Sequence, residues 1–298
     1  MTKTSLVTGG AGFIGSHLVD KLLSLGHNVV VLDNESSDGH DDYFWNSDAE
    51  NHKIDILGEI KPLFKGVDYV YHLAAKASVQ ASVEFPIFSM ETQVMGTTNV
   101  LEAAREAGVE KFIYSSTSAC YGNKNPIPNV ETMREDPLSP YAIGKLSGEQ
   151  MVKAYYPLYG LKTVAFRYTN VYGPRARHVG CYAPVVSKFL KAASTGEKLT
   201  IFGDGQQRRD FIHVDDVVNV NALVSFTELD AWGEVYNIGY GKNWSVQEIA
   251  DLISSHQVHL SARPGEMRET LADIGKACSE LMWKPKVSVL EWIKNQLP

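Results

Sequence analysis

The sequence predicts an α/β protein in which a doubly wound parallel sheet is followed by a smaller, mixed C-terminal domain. Three observations carry this prediction. Short apolar runs alternate with helical patterns from Ser5 to about residue 168, as in βαβ units. A glycine-rich turn follows the first apolar run and opens a helix. Turns crowd together after Tyr168 and the alternation is lost, which indicates a change of domain.

The glycine-rich turn fits the pattern Gly-x-Gly-x-x-Gly at positions 10, 12 and 15. Leu6 and Val7 form the strand before it, and the helix after it ends at Gly26. Such glycines permit a tight turn, close approach of the backbone to a pyrophosphate, and close packing of helix on strand. Free N–H groups and the dipole at the helix start favour phosphate. The pattern therefore predicts a Rossmann-type dinucleotide site.

Asp33 ends the second predicted strand, residues 28–32, eighteen residues after Gly15. An acid at this place binds the ribose hydroxyls of adenosine. It also repels a 2′-phosphate, so NAD is favoured over NADP. An ordinary glycine-rich turn in an α/β protein is the alternative, but strand, helix and acid together favour the cofactor site.

The remaining elements follow in chain order. Residues 34–52 are polar and are expected to form a loop; strands are predicted at residues 53–56, 67–74, 111–115 and 163–167, and helices at residues 57–65, 86–107 and 141–159. We therefore expect an NAD-binding domain of residues 1–168 plus about 211–239, and a second domain of about 169–210 plus 240–298. The long helices have apolar faces that suit the sheet or a second subunit, so a homodimer with a four-helix contact is expected.

Composition narrows the range of partners. With 28 basic and 35 acidic residues, a net charge of −7 gives no electrostatic case for nucleic acid or an anionic membrane. Cys120, Cys181 and Cys278 lack Cys-x-x-Cys spacing, so neither a disulfide frame nor a metal site is expected. No signal peptide or membrane span is recognised, and we expect a cytoplasmic protein.

Tyr141 and Lys145 form a second chemical feature, because four residues on a helix place both side chains on one face. A free phenol has a pKa of about 10 and is a poor base at neutral pH. A fixed ammonium and the cationic nicotinamide ring of NAD⁺ both favour the phenolate, and a pKa near ~7 takes about 4 kcal/mol of differential stabilisation. Tyr-x-x-x-Lys also arises by chance on many helices. After a dinucleotide fingerprint, it favours an acid/base pair.

The chain resembles the extended short-chain dehydrogenases/reductases, specifically the nucleotide-sugar epimerase and dehydratase branch, and within it the UDP-hexose and UDP-N-acetylhexosamine 4-epimerases. The resemblance extends from Ser5 to about Pro285. The matching segments are residues 8–15, 55–56, 72–75, 115–122, 141–145, 167–174, 201–205, 209–215 and 263–265. So many matches in the same order make the resemblance specific.

The resemblance implies NAD as the cofactor and a nucleotide-diphosphate sugar as the substrate. The residues expected to bind NAD are Gly9, Gly12, Phe13, Ile14, Asp33, Asn34, Asp55, Ile56, Leu73, Ala74, Ala75, Tyr141, Lys145 and Tyr168. Thr117 would hydrogen-bond the reacting sugar oxygen, and Tyr141 would be the acid/base. Lys145 would hold the nicotinamide ribose and tune Tyr141.

The same resemblance implies a nucleotide-sugar site formed by Asn170, Phe202, Arg209, Arg263 and Thr270 together with Thr117. Asn170 would contact the phosphates and Phe202 the base. Arg209 and Arg263 would grip the diphosphate, which suits a permanently charged fork. A core aromatic is the alternative for Phe202, and surface salt bridges are the alternative for both arginines.

Departures from the family pattern separate its branches. Dehydratases carry an Asp-Glu pair directly after the catalytic Thr, and uronate decarboxylases place a Glu at the second position. This chain has Ser118 and Ala119 at these positions, so the carboxylates that dehydration or decarboxylation would need are absent there. Thr270 is small where a Tyr restricts some 4-epimerases to plain hexoses, which favours an N-acetylhexosamine; an uninvolved loop threonine is the alternative.

The resemblance and these departures imply a 4-epimerase acting on UDP-GlcNAc or UDP-Glc through a transient 4-keto intermediate. Hydride leaves C4, the intermediate pivots about its diphosphate, and the hydride returns to the opposite face. The alternatives are a UDP-glucuronate 4-epimerase or decarboxylase, and a catalytically silent family member that binds NAD. Lys76 and Gln93 stand where the family commonly has Gln and Asn, and both are expected to alter contacts in the cofactor pocket.

Overall fold

Seven parallel strands form the larger sheet of the computed structural model, which describes residues 2–37, 42–178, 183–262 and 267–297. The strands are β1 (Thr4–Thr8), β2 (Asn28–Asp33), β3 (Glu50–Lys53), β4 (Tyr69–His72), β5 (Lys111–Thr117), β6 (Lys162–Tyr168) and β10 (Glu234–Ile238). Their order is β10-β6-β5-β4-β1-β2-β3. The order reverses between β1 and β4, which is the place where such sheets bind ligands. The predicted Rossmann-type fold is confirmed.

Helices cover both faces of this sheet because neighbouring residues of each strand point to opposite sides. Val7 packs with α1 (Phe13–Ser24), α7 (Val214–Phe226) and α9 (Gly275–Glu280). Leu6, on the opposite face, packs with α4 (Thr97–Ala107) and α5 (Pro140–Tyr159). The large sheet therefore contributes to two hydrophobic cores, one on each face.

The predicted helix of residues 86–107 exists but is not uniform. It comprises α3 (Pro86–Met90), a π-helical turn (Glu91–Gly96) and α4. A further short helix, α2 (Val79–Glu84), precedes it and was not expected. Ser78 starts α2 by accepting a hydrogen bond from the Ala81 N–H group at 3.0 Å. The π turn matters for the site because it places the buried Gln93 beside α5.

Two predictions for residues 53–65 are wrong. β3 lies at Glu50–Lys53, and the chain turns after it because Asp55 accepts hydrogen bonds from Leu57 and, through its carbonyl, from Gly58. Ile56 is buried beyond the strand, so its apolar character indicated burial and not strand. In place of a helix over residues 57–65, the structure has one 3₁₀ turn, Lys61–Phe64.

Two small sheets form a separate core after β6. One is mixed and contains β7 (Asn170–Tyr172), β9 (Arg208–His213) and β11 (Asn243–Ser245). The other pairs β8 (Leu199–Phe202) with β12 (Gln257–Leu260). The helices beside them are α6 (Val185–Ser194), α8 (Val246–Ile253) and α10 (Val289–Lys294). β9 thus joins the small sheet, and α7 with β10 returns to the large one; the domain limits themselves stay a prediction.

Within the described ranges, no helix is long and apolar enough to cross a membrane. Cys120 and Cys278 are free thiols, and Cys181 lies outside the described residues. The part of the chain that the structure covers contains no cluster of three or more His, Cys, Asp or Glu side chains suited to a metal ion.

Candidate active site

The glycines of the first turn have different functions in the fold. Gly9 has a φ of +70°, and a Cβ built there would lie 2.8 Å from the Ala74 nitrogen. A Cβ at Gly15 would lie 2.1 Å from the Gly9 carbonyl oxygen. At Gly12 the nearest atom would be the same oxygen at 3.4 Å, which is ordinary contact. The fold itself therefore requires Gly9 and Gly15, whereas the space at Gly12 belongs to the cleft that this residue lines.

Helix α1 starts at this cleft. Gly12 is its N-cap and offers no side-chain acceptor. The first N–H groups of an α-helix have no partner within the helix, so those of Phe13 and Ile14 are placed to bind an anion at the cleft. This geometry fits a dinucleotide pyrophosphate.

We name this depression the first cleft; it lies at the carboxyl ends of β1, β2, β4 and β5. The expected cofactor residues that line it are Gly9, Gly12, Phe13, Ile14, Asp33, Asn34, Ile56, Leu73, Ala74, Ala75, Tyr141, Lys145 and Tyr168. Asp55 does not line it. Its carboxylate accepts hydrogen bonds from the Asn34 amide at 2.7 Å and the Leu57 N–H at 2.8 Å. Asp55 therefore orients Asn34 from behind the wall.

Asp33 is fixed at the end of β2. Its carboxylate accepts hydrogen bonds from the N–H groups of Ala11 at 3.1 Å and Glu35 at 2.8 Å. These bonds connect the acid to the glycine turn on one side and to the next loop on the other. The side chain is thereby held in the wall of the cleft, where the sequence places the adenosine ribose.

Helix α5 brings Tyr141 and Lys145 to the same cleft. Ser139 caps the helix by accepting a hydrogen bond from Ala142 N–H at 3.2 Å, and Pro140 follows in the first turn. Tyr141 N–H donates to the Ser82 hydroxyl at 3.0 Å, which fixes the helix start against α2. The predicted range of residues 141–159 is confirmed within one residue.

Of the two residues expected to form the acid/base pair, Lys145 is buried and Tyr141 is half-buried in the wall of the cleft. Burial raises the pKa of Tyr141, and a hydrogen-bonding contact with Thr117 lowers it by less. Burial lowers the pKa of Lys145 to about 7. Its ammonium donates to the Ser115 carbonyl at 2.7 Å and lies 4.9 Å from the centre of the Tyr114 ring. Burial therefore outweighs the Thr117 hydrogen bond in the pKa of Tyr141, and the expected effect of Lys145 and a bound nicotinamide ring on the phenolate stays a prediction.

Thr117 lies between two depressions. Ser116, the preceding residue, lines the first cleft. Ser118, the following residue, lines a separate cavity that also contains Thr169 and Thr270, which we name the third cavity; the second is described below. The Thr117 side chain accepts a hydrogen bond from Ala119 N–H at 3.2 Å. It is thus placed where a molecule in the third cavity meets one in the first cleft.

A second cavity lies between the small sheets and α6, and contains Asn170, Phe202 and Arg209. Among the described residues, the charged side chains that line it are Lys188, Lys191, Lys198, Arg209 and Glu197. Four cations to one acid among these residues suit an anionic ligand. Arg263 lies outside the described residues.

Thr270 contributes little open surface, with 7% of the residue exposed. Its hydroxyl lies 3.4 Å from both the Asn170 amide nitrogen and the Asp210 backbone nitrogen. Asn170 also donates to the Asp210 carbonyl at 3.0 Å. Thr270 therefore connects the strand-end of β7 to β9, and its small side chain leaves the third cavity open beside it.

Sequence reasoning missed a buried ion pair beneath the site. Arg167 and Glu149 are 1% and 0% exposed and form two hydrogen bonds, of 2.9 and 2.6 Å. Ser116 donates to the same carboxylate at 2.7 Å. Glu149 is one helical turn beyond Lys145, so a charged residue on that helix face was the available signal. Ser37, Tyr43 and Arg177, which also line the first cleft, come from irregular segments without any such signal.

Comparison with known proteins shows the family to which this chain is similar. Residues 5–239 match the model of the NAD dependent epimerase/dehydratase family. The UDP-glucose 4-epimerase of Mycolicibacterium smegmatis is 39% identical over 308 residues, covering 97% of this chain and 96% of that relative. The UDP-glucuronate 4-epimerase of Thermodesulfobacterium geofontis is 35% identical over 312 residues, covering 97% and 94%.

A solved structure is similar throughout. The crystal structure of UDP-glucose 4-epimerase from Thermotoga maritima, with UDP-glucose, has a TM-score of 0.92 and 40% sequence identity. The match covers 98% of this chain and 96% of that one. The likeness therefore includes both the large sheet and the smaller domain.

Proposed function

The chain belongs to the NAD-dependent epimerase/dehydratase family, and we propose that it is a 4-epimerase of UDP-hexoses or UDP-N-acetylhexosamines that uses NAD. One observation carries the proposal. Tyr141 and Lys145 line the same cleft as the glycine turn and Asp33, and Tyr141 forms a hydrogen-bonding contact with Thr117. An acid/base group thus lies beside the dinucleotide site, where a carbinol can be oxidised and reduced.

Each residue has a task in this proposal. NAD, when bound, supplies an acceptor for a hydride from C4 of the sugar and gives it back to the same carbon. Tyr141 takes the proton from the C4 hydroxyl and returns it. Thr117 donates a hydrogen bond to that oxygen. Lys145 is held by the Ser115 carbonyl on the cofactor side, and its positive charge favours deprotonation of Tyr141.

The second cavity supports binding of the nucleotide half. Its lysines and Arg209 match the charge of a diphosphate, and Phe202 offers an aromatic surface for a base. A substrate anchored there leaves its sugar free to turn between transfers. Inversion at C4 requires this freedom, because the hydride must return to the other face of the same carbon.

The residues after Thr117 favour epimerisation over related reactions. Ser118 lines the third cavity, and neither it nor Ala119 has a carboxylate to expel a hydroxyl or assist loss of CO₂. The small side chain of Thr270 beside that cavity supports a site with space for an N-acetyl group. The glucuronate relative supports a second candidate, epimerisation of a uronate with its carboxylate retained.

A panel of UDP-sugars tests the proposal. The purified protein is incubated with UDP-Glc, UDP-GlcNAc and UDP-GlcA, and the configuration at C4 is read by NMR. We expect inversion of a hexose or N-acetylhexosamine. Inversion of UDP-GlcA alone would favour the second candidate, and loss of CO₂ from it would exclude both.

Tyr141→Phe separates an enzyme from a silent NAD-binding protein. The variant keeps the ring but lacks the proton-transferring oxygen, so turnover should fall by about 10³-fold or more while bound NAD is kept. Equal product formation by wild type and variant would contradict the assigned role of Tyr141.

A further inference from the structure

Lys76 connects the two walls of the first cleft. Its ammonium donates a hydrogen bond of 2.5 Å to the Ser36 carbonyl oxygen. Ser37, next to Ser36, lines one wall, whereas Ala75 and Ala77 flank Lys76 and line the opposite wall. We propose that this bond is a strap that retains NAD in the cleft and limits the rate at which it leaves. The inference rests on the proposed function, because it takes NAD as the ligand.

Contacts within the chain hold Lys76 in position. Its backbone N–H donates to the Gln93 side-chain oxygen at 3.0 Å, and the Gln93 amide donates to the Ser89 hydroxyl at 3.0 Å. Gln93 is 1% exposed and is placed by the π turn. The Lys76 ammonium also lies 4.3 Å from the centre of the Phe88 ring. The cation is therefore preorganised towards Ser36.

The opposite end of the strap is equally constrained. The Ser36 N–H and hydroxyl donate to the Asn34 side-chain oxygen at 3.1 and 2.5 Å. Glu35 has a φ of +53°, which a non-glycine residue adopts only when its surroundings hold it there. Its carboxylate accepts a hydrogen bond from the Trp45 indole at 2.8 Å and pairs with Lys53. These contacts present the Ser36 carbonyl to the cation.

The segment that Lys76 fastens comes shortly after Asp33 in the sequence. The Asp33 carboxylate is expected to bind the adenosine ribose. Asp33 and Ser37 both line the cleft, so the segment that Lys76 fastens lies beside the expected ribose site, and loss of the bond would allow this wall to open. A charged donor strengthens a hydrogen bond relative to a neutral one, and the Gln that the family commonly has at this position carries no charge. We expect Lys76→Met to release NAD about tenfold faster, which corresponds to about 1.4 kcal/mol.

Exchange of bound NAD tests the strap. Wild type and variants are loaded with unlabelled NAD, freed of excess, and mixed with radiolabelled NAD, and incorporation of label is followed with time. Lys76→Met and Lys76→Gln should both exchange about tenfold faster, and Lys76→Arg should restore slow exchange. Lys65→Met is the matched control, because Lys65 is exposed and is not among the described residues that line the cleft. Exchange by Lys76→Met within twofold of wild type would overturn the proposal.

Hydrogen exchange of the wild-type protein gives a measurement that does not depend on a variant folding. NAD should slow amide exchange in residues 34–37 at least as much as in the glycine turn. Slowing confined to the glycine turn would overturn the strap while leaving NAD binding intact. A wild type that retains no NAD contradicts the proposed function itself and the strap with it.

Discussion

Lys145 carries a charge that the folded protein holds at a cost. The residue is 3% exposed, and burial lowers its pKa from 10.5 to about 7. The unfolded chain therefore binds this proton more tightly than the folded one, so the contribution of Lys145 to stability rises as pH increases from about 7 to 10.5. Below about pH 7 the folded and unfolded proteins both carry the charge, so the full free-energy cost of burying it is present.

Lys145→Met should remove this pH dependence. In the absence of NAD, we expect the variant to have a higher free energy of unfolding than wild type near pH 7, by at most about 5 kcal/mol. Near pH 10 the difference should be small. Urea unfolding of both proteins at the two pH values measures the difference. Lys65→Met, an exposed control, should show no such trend; a gain for Lys145→Met that does not change with pH would contradict the assignment.

Thr117 offers a matched pair of substitutions. Thr117→Ala removes the hydroxyl that contacts Tyr141, whereas Thr117→Ser keeps it. We expect kcat on the preferred UDP-sugar to fall about 10²-fold for Ala and only a few-fold for Ser, because one oriented hydrogen bond to the reacting oxygen is lost. Thermal melting of both variants controls for the lost hydrogen bond from Ala119. Equal kcat for Thr117→Ala and Thr117→Ser would exclude a direct role of the Thr117 hydroxyl in the reaction.

The glycine turn can be tested as a unit. Gly12→Ala should fold with nearly wild-type stability, because the new Cβ meets no protein atom closer than 3.4 Å. It should weaken NAD binding, since that Cβ occupies the cleft. Gly15→Ala should instead destabilise the fold, because its Cβ would lie 2.1 Å from the Gly9 carbonyl. Melting temperature and NAD affinity by calorimetry separate the two effects; unchanged affinity in Gly12→Ala would contradict this view of the turn.

Elements with strong local signals could be predicted from sequence. Helix α5 has its Ser139 cap, Pro140 and the left-handed Gly160 that ends it, so local chemistry determines its limits. β3 lacks such signals: apolar residues just beyond it suggested a strand three residues too late. Alternation of apolar residues reports burial, and burial alone does not distinguish a strand from a turn that packs on the core.

Long-range contacts set the rest of the site. The hydrogen bond between Lys76 and Ser36 joins segments 40 residues apart, and the Glu149–Arg167 pair joins a helix to a strand. The large sheet and its cofactor cleft followed from periodicity and spacing. The polar connections that hold the cleft walls together did not, because each partner is unremarkable in its own stretch of sequence.

The whole molecule presents an apolar face beside the site. Val83, Ile87, Met95 and Leu158 lie on the helices α2 to α5, and Ile87 is 75% exposed. We expect a homodimer formed through this face, because single copies seldom leave so many large apolar side chains in water. Ile87→Glu should yield a monomer by light scattering, since a buried charge opposes association. Leu260→Glu, at an exposed position on β12 of a small sheet, is the control; a monomeric wild type at micromolar concentration would contradict the interface.

The most direct test concerns the hydrogen at C4. UDP-glucose or UDP-GlcNAc carrying deuterium at C4 is incubated in ordinary water with the NAD-loaded protein, and the product is analysed by NMR and mass spectrometry. The account predicts inverted product that keeps its deuterium at C4, because the hydride is taken from and returned to the same carbon without meeting solvent. Inverted product with hydrogen at C4, or deuterium kept only in uninverted sugar, would contradict it.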